Sequence, residues 1–297
     1  MTNSPEPPDE VRQLLARATG LETPCGSGSM VWHRWEPEQS DPRHLPLVLL
    51  HGGSGSWTHW LRNIDALLDA GRSVLAADLP GFGDSASPPS GMDADALPEP
   101  VEAGLRVLLG DGACDIVAFS FSGMVAGLIA ARWPSRVAQL VLVGSPGLGV
   151  ASRSTVTLTA WRHLPDPAAR EAVHRSNLAA LMLYQPEAIT ALALRLHSDN
   201  TLRDRMKGRR LAYTDILART LKEVRCPVTA IYGRKDALYR ERQEALAEAL
   251  KAAPDFRGMH WIDNAGHWVQ FEQSAAFDAV LRAVLEEGSR LPLLSKQ

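Results

Sequence analysis

Apolar residues fall along this chain in short, nearly unbroken runs, each closed by glycine, proline or a polar residue. The first, "SMVWHRWE" (29–36), reads as a leading strand. Six more follow: "PLVLLHGGSGSW" (46–57), "RSVLAADLPGFGDS" (72–85), "CDIVAFS" (114–120), "RVAQLVLVGSPG" (136–147), "CPVTAIYGRKD" (226–236) and "FRGMHWIDNAGH" (256–267). Near-continuous apolar character over strand length is the pattern of strands covered on both faces. Helical periodicity lies between them, in "FSGMVAGLIAARW", "RERQEALAEALKAA" and "SAAFDAVLRAVLEEG". In "MDADALPEPVEAGLRVLLG" the prolines at 98 and 100 place the helix start near Val101. Strands alternating with helices predict an α/β architecture, a mostly parallel sheet flanked by helices.

One stretch breaks the alternation. From Ala151 to Glu223 no strand-like run occurs, only helix-compatible sequence such as "PDPAAREAVHRSNLAALMLY", punctuated by prolines 165, 167 and 186. The expected organisation is a disordered, proline-rich tail over 1–10, a core formed by 11–150 and 224–297, and a helical cap over 151–223, inserted after the strand ending near Ser145. The rival reading of 151–223 is a set of long crossover helices.

Composition narrows the function. An apolar fraction of 45% and a charged fraction of 22% are those of a soluble globular protein. A net charge of -3 leaves no electrostatic footprint for nucleic acid or an anionic membrane. The N-terminus "MTNSPEPPDE" lacks the basic and apolar regions of a signal peptide, and no apolar run reaches the ~20 residues of a membrane span. Cys25, Cys114 and Cys226 are too few and too far apart for a disulfide framework or a C-x-x-C metal site. Cys114 and Cys226 open strand-like runs and read as small core residues. The expectation is a cytoplasmic protein acting on a small molecule, with no metal or cofactor, no nucleic acid and no membrane partner; homodimerisation stays open.

The chemistry begins at "AFSFSG" (118–123), where a strand turns into a helix. A serine held in such a turn is strained and exposed, and the positions two before and two after it must be small. Ser120 meets that demand with Ala118 and Ser122. Taking Ser122 instead puts the bulky Met124 at the second position. Standing alone, the motif also fits a simple helix N-cap.

Other strand ends supply what a serine nucleophile needs. Asp236, after "VTAIYGRK", would hold a histidine; His267, in "DNAGHW", would take the serine proton. An oxyanion would find one donor at the Phe121 N–H and another in "LLHGGSG" (49–55), at Gly53 first and Ser54 next. The rival roles are an N-cap for Asp236 and a lone surface histidine for His267. Asp78, before "LPGFGDS", reads as structural, bonding its own turn.

Across "HGGSGSW", "DLPGFGDS", "AFSFSG", "YGRKD" and "AGHW" the chain resembles the α/β-hydrolase fold superfamily, whose order is Ser…Asp…His. "HGGSGSWTHWLRNI", "LMLY" and "GHWVQFE" are similar to the branch of meta-cleavage-product hydrolases, which cut carbon–carbon bonds in vinylogous 1,5-diketones, and which itself resembles many carboxylesterases. The resemblance implies an α/β-hydrolase fold, an acyl-enzyme mechanism and a pocket that includes Trp268 and Phe119. Phe119 stands where that branch typically has asparagine. The branch also uses a cap arginine to hold an acid; the nearest match, "AITALALRLHSDN", offers Arg195 and His197. Trp161, His163, His174, Tyr184 and His197 are the expected roof of the pocket. A serine nucleophile argues against the dehalogenase and epoxide-hydrolase relatives, which carry aspartate there. The alternatives on the same scaffold are a non-catalytic small-molecule binder and a perhydrolase or haloperoxidase-like activity.

Overall fold

A computed structural model describes residues 6–151, 156–206 and 208–289. Eight strands form one sheet: β1 (Thr19–Cys25), β2 (Gly28–Trp35), β3 (Leu47–Leu50), β4 (Val74–Ala77), β5 (Cys114–Phe119), β6 (Val137–Val143), β7 (Val228–Gly233) and β8 (Phe256–Ile262). Their spatial order is β1-β2-β4-β3-β5-β6-β7-β8. β2 pairs antiparallel with β1 and with β4, while every pair from β4 to β8 is parallel.

The central strands are buried on both sides because helices cover both. Val48, Leu50, Ile116, Ala118, Leu140 and Leu142 face one core cluster with Met124 and Val125 of the helix Phe121–Arg132. Leu47, Leu49, Val117, Phe119, Val141 and Val143 face the other, with Phe277, Leu281 and Leu285 of the helix Ser274–Ser289. Alternate residues thus serve opposite layers, as the pleat requires. From β3 the chain goes to β4 on one side and returns to β5 on the other. That reversal opens a crevice at the carboxyl ends of β3 and β5, the place where such sheets bind ligands.

Three expectations need correction. β1 has no counterpart among the apolar runs; it completes a hairpin at the sheet edge, with only Thr23 and Cys25 buried. The expected tail is cut short by a helix, Asp9–Leu15. Its acidic first turn suits the positive end of the helix dipole, and Val11 and Leu14 pack beside Trp35, whose Nε1–H donates to the Leu14 carbonyl at 2.9 Å. The helix expected from Val101 starts at Pro98, since both prolines fit in a first turn that needs no N–H donors.

Among the described residues no strand lies between β6 and β7. The insertion contains the helices Pro167–Asn177, Ala191–Leu202 and Ile216–Leu221, and a π-helical turn at Leu178–Met182. Its boundary differs from 223: Leu217 and Leu221 belong to the core cluster beneath the sheet, and Leu217 packs against Gly127. The helix Ile216–Leu221 is therefore part of the core layer. Residues 1–5 of the expected tail, 152–155 and 207 of the expected cap, and 290–297 lie outside the described residues.

Candidate active site

Ser120 follows β5 and caps the helix Phe121–Arg132 with φ 52° and ψ -119°. A serine at positive φ costs of order 1–3 kcal/mol, and the surroundings hold it there. Its N–H donates to the Val143 carbonyl at 2.7 Å, and its own carbonyl accepts the Gly123 N–H at 2.9 Å. A Cβ at Gly52 would lie 3.1 Å from that of Ser120, and one at Gly123 would lie 2.0 Å from Ser145 Oγ. Glycine at both points lets the neighbouring elements close around the turn. Ser122 is fully buried, its hydroxyl within 2.9 Å of the carbonyls of Leu50 and Phe119.

His267 comes from the loop after β8. Its Nε2 lies 2.8 Å from Ser120 Oγ, and its Nδ1 lies 2.7 Å from Asp236 Oδ2. Asp236, beyond the end of β7, is fully buried and spends its other oxygen on the Leu238 N–H at 2.9 Å. The acceptor in front of Nδ1 places the imidazole proton there, which leaves Nε2 as a base facing the serine. Asp236 therefore both caps its own turn and orients the histidine. Beneath it, Tyr232 and Tyr239 donate to the Ser145 carbonyl at 2.8 and 3.0 Å, and burial holds both phenols well above their ordinary range.

The loop after β3 faces the serine. His51 fixes its start: Nδ1 lies 2.7 Å from the Gly52 carbonyl, and Nε2 accepts the Leu79 N–H at 2.9 Å. Burial brings His51 down to about 4, so the ring is neutral and the two bonds define its tautomer. Gly52 N–H donates to Nδ1 of His59 at 3.2 Å, which puts the His59 proton on Nε2. Ser54 is held at φ 50°. Among the described residues, the N–H groups of Gly53 and Phe121 have no protein acceptor, and both residues line the cavity containing Ser120 and His267. Asp78 accepts the Trp57 N–H and the Asp84 N–H, each at 2.9 Å, and so ties two loops together.

This cavity measures about 330 Å³, and Phe119, Leu158, Met182, Arg209, Tyr213 and Leu238 contribute to its walls. A second, of about 990 Å³, shares Gly53, Ser54, Leu158, Leu181 and Met182 with it and extends under the insertion. Trp161, His163 and His197 line the second cavity, along with His59. Burial lowers His197 to about 4 and holds His59 well below its ordinary range.

Other expected pocket residues stand elsewhere. Trp268 lines neither cavity: it is fully buried, stacks on Phe271 at 4.1 Å between centroids, and donates Nε1–H to the His59 carbonyl. Its role is packing behind the histidine loop. His174 lies under Trp161, with ring centroids 4.7 Å apart, and Tyr184 faces outward. Arg195 points away from both cavities, bonding Asp199 at 2.7 Å and the Glu6 carbonyl at 3.0 Å. Arg209, which sequence reasoning missed, lines the serine cavity, while Arg162 and Arg205 line the second; nothing in the local pattern marks any of them.

The insertion is also fastened to the histidine loop. Glu272 accepts the N–H groups of Tyr184, Gln185 and Gly266, and Trp268 N–H donates to the Met182 carbonyl at 2.8 Å.

A sheet with a strained serine after its fifth strand and a buried carboxylate and histidine after its last two is matched by sequence as well. The pattern of the Alpha/beta hydrolase family covers residues 47–280. The chain belongs to the alpha/beta hydrolase family. Among curated relatives of this hydrolase, a 2-hydroxy-6-oxononadienedioate/2-hydroxy-6-oxononatrienedioate hydrolase of Burkholderia vietnamiensis is 29% identical over 255 residues, covering 81% of this chain and 85% of the relative. The Pseudomonas putida hydrolase 2 of the same name is 29% identical, covering 81% and 87%. Among solved structures, the meta-cleavage product hydrolase CumD of Pseudomonas fluorescens superposes with a TM-score of 0.71 at 23% identity, over 90% of this chain and 98% of that one. Carboxylesterase CesB from Bacillus subtilis gives 0.73 at 18%, over 93% and 95%. These structural matches establish the fold; the chain is an alpha/beta hydrolase enzyme.

Proposed function

We propose that this hydrolase is a serine acyl hydrolase acting on a small, partly apolar carboxylic ester. The observation that carries the reading is the run Ser120–His267–Asp236, bonded at 2.8 and 2.7 Å, beside a cavity lined by Gly53 and Phe121, whose N–H groups meet no acceptor among the described residues. Ser120 Oγ attacks the carbonyl carbon while His267 Nε2 takes its proton. Asp236 keeps Nδ1 protonated and stabilises the imidazolium. Negative charge collects on the carbonyl oxygen, where the N–H groups of Gly53 and Phe121 each contribute ~3 kcal/mol in comparable sites. The imidazolium then protonates the leaving group, and water, activated by the same base, releases the acid.

A second reading, hydrolysis of a carbon–carbon bond in a 1,5-diketone, draws on what the relatives' names describe and on Arg209, a cation at the cavity wall suited to a substrate acid. Against it stands Phe119, whose ring lies 5.2 Å from that of His267 where that branch typically has an amide. The test compares turnover of a short-chain p-nitrophenyl ester with that of a ring-fission 1,5-diketone, with Ser120→Ala as blank. Ester turnover supports the first reading; fast diketone cleavage with feeble esterolysis replaces it with the second. Failure of a fluorophosphonate to label Ser120 would support a non-catalytic binder, and peroxide-dependent turnover a perhydrolase.

A further inference from the structure

Ser54 is one of three non-glycine residues at positive φ among the described residues, with Ser120 after β5 and Asn264 in the histidine loop. Nothing intrinsic to serine keeps it there, since the left-handed conformation costs an L-residue roughly 1–2 kcal/mol. What holds it comes from the insertion. Ser54 Oγ donates to Asp204 Oδ2 at 2.5 Å, a charge-assisted bond between segments 150 residues apart. The same oxygen accepts Arg209 Nη2 at 2.8 Å, and Asp204 Oδ1 accepts the Met206 N–H at 2.9 Å, so the carboxylate is itself fixed. Arg209 then lies against both sides of the oxyanion cradle. Its guanidinium is 4.9 Å from the Phe121 ring centroid, and its Nε would lie 3.1 Å from a Cβ placed on Gly53.

We propose that Asp204, working through Ser54 and Arg209, is the positioning residue of the oxyanion hole, so that docking of the insertion sets the aim of the Gly53 and Ser54 N–H groups. The inference rests on the acyl-transfer reading above. Released from Asp204, Ser54 relaxes toward negative φ, which turns the Gly53–Ser54 peptide plane with its N–H and displaces Gly53 beside it. Substrate still enters; the charge that develops in the transition state loses its donor. The signature is a fall in kcat with KM nearly unchanged.

The experiment measures kcat and KM for a p-nitrophenyl ester, and the rate of fluorophosphonate labelling, in Asp204→Asn, Ser54→Ala and their combination. Ser54→Ala removes the tether while keeping the cost of positive φ, and stands in should Asp204→Asn fold poorly. Arg203→Gln is the control: Arg203 bonds Asp84 at 3.0 Å and fastens the same segment without touching the cradle. Each single variant is expected to lose about 10- to 100-fold in kcat and in labelling rate, with KM within about twofold. The double variant is no worse than the poorer single, and the control keeps wild-type kcat. A change in KM alone, additive losses, or an equal loss in the Arg203→Gln control overturns the proposal. A wild-type protein that neither turns over esters nor labels overturns the acyl-transfer reading, and this inference with it.

Discussion

Ser120 and Ser122 sit two residues apart and point opposite ways: Ser120 Oγ meets the His267 imidazole at the cavity, while the Ser122 hydroxyl turns into the core against the Leu50 and Phe119 carbonyls. Two residues of backbone separate a hydroxyl that faces an imidazole from one buried in the core.

Exchanging each serine for alanine therefore gives opposite results. Ser120→Ala is expected to lower kcat by about 10⁴-fold or more with the melting temperature nearly unchanged. Ser122→Ala is expected to keep most of its turnover and lose about 1 kcal/mol of stability, the worth of a buried hydrogen bond. Ester kinetics and thermal melts on the two proteins decide it, and an inactive Ser122→Ala with an active Ser120→Ala would reverse the assignment.

Asp236→Asn keeps the shape of the site but presents a donor to His267 Nδ1, favouring the wrong tautomer. The expected loss in kcat is about 10³- to 10⁴-fold, with KM within a few-fold. Single-turnover acylation should slow by the same factor.

His197 and its neighbour His174, whose ring centroids lie 5.3 Å apart, are both held below the usual imidazole range by burial, His197 at about 4. The unfolded chain takes up a proton at His197 near pH 6.5 and the folded one only near 4. This contribution is complete above about pH 6.5 and is lost as pH falls toward 4, up to roughly 3 kcal/mol. Asp278, raised to about 6, works in the opposite sense over much of that window. Subtracting the melting curves of His197→Gln from wild type isolates the histidine. The difference should slope between pH 6.5 and 4 and flatten above 7.

Arg72 and Asp115 form a buried ion pair between the residue two before β4 and the second residue of β5. Burial raises Asp115 even with the guanidinium beside it. Asp115→Ala leaves the Arg72 charge unpaired in the core and is expected to cost about 3–5 kcal/mol. Replacing both with apolar residues of similar volume should restore most of that. Urea unfolding of the single and double variants measures both, and a single variant as stable as wild type would contradict the account.

Much of the site is legible in the sequence. Ser120, Asp236 and His267 each follow an apolar run, and parallel strands bring the ends of such runs to one edge of a sheet. What stayed hidden was held by tertiary contacts. "TGLETPC" alternates polar residues with two small buried ones and carries proline, so β1 shows no strand-like run. Trp268 looks like a pocket residue beside the histidine, yet only the fold turns it toward Phe271. Asp204 and Arg209 lie in sequence that reads only as helix-compatible, and nothing local reveals that Ser54 will meet Asp204. Arg195 has the better sequence context for a cavity cation and points elsewhere.

Glu272 and Met182 bind the insertion to the histidine loop, as Asp204 binds it to the loop after β3. The insertion is consequently a poor unit of exchange. A chimera that borrows this segment from a relative, without the residues equivalent to Ser54 and Glu272, would splice a foreign roof onto both halves of the machinery at once. A change at Leu158, which faces the cavity, alters its wall and leaves both seams in place.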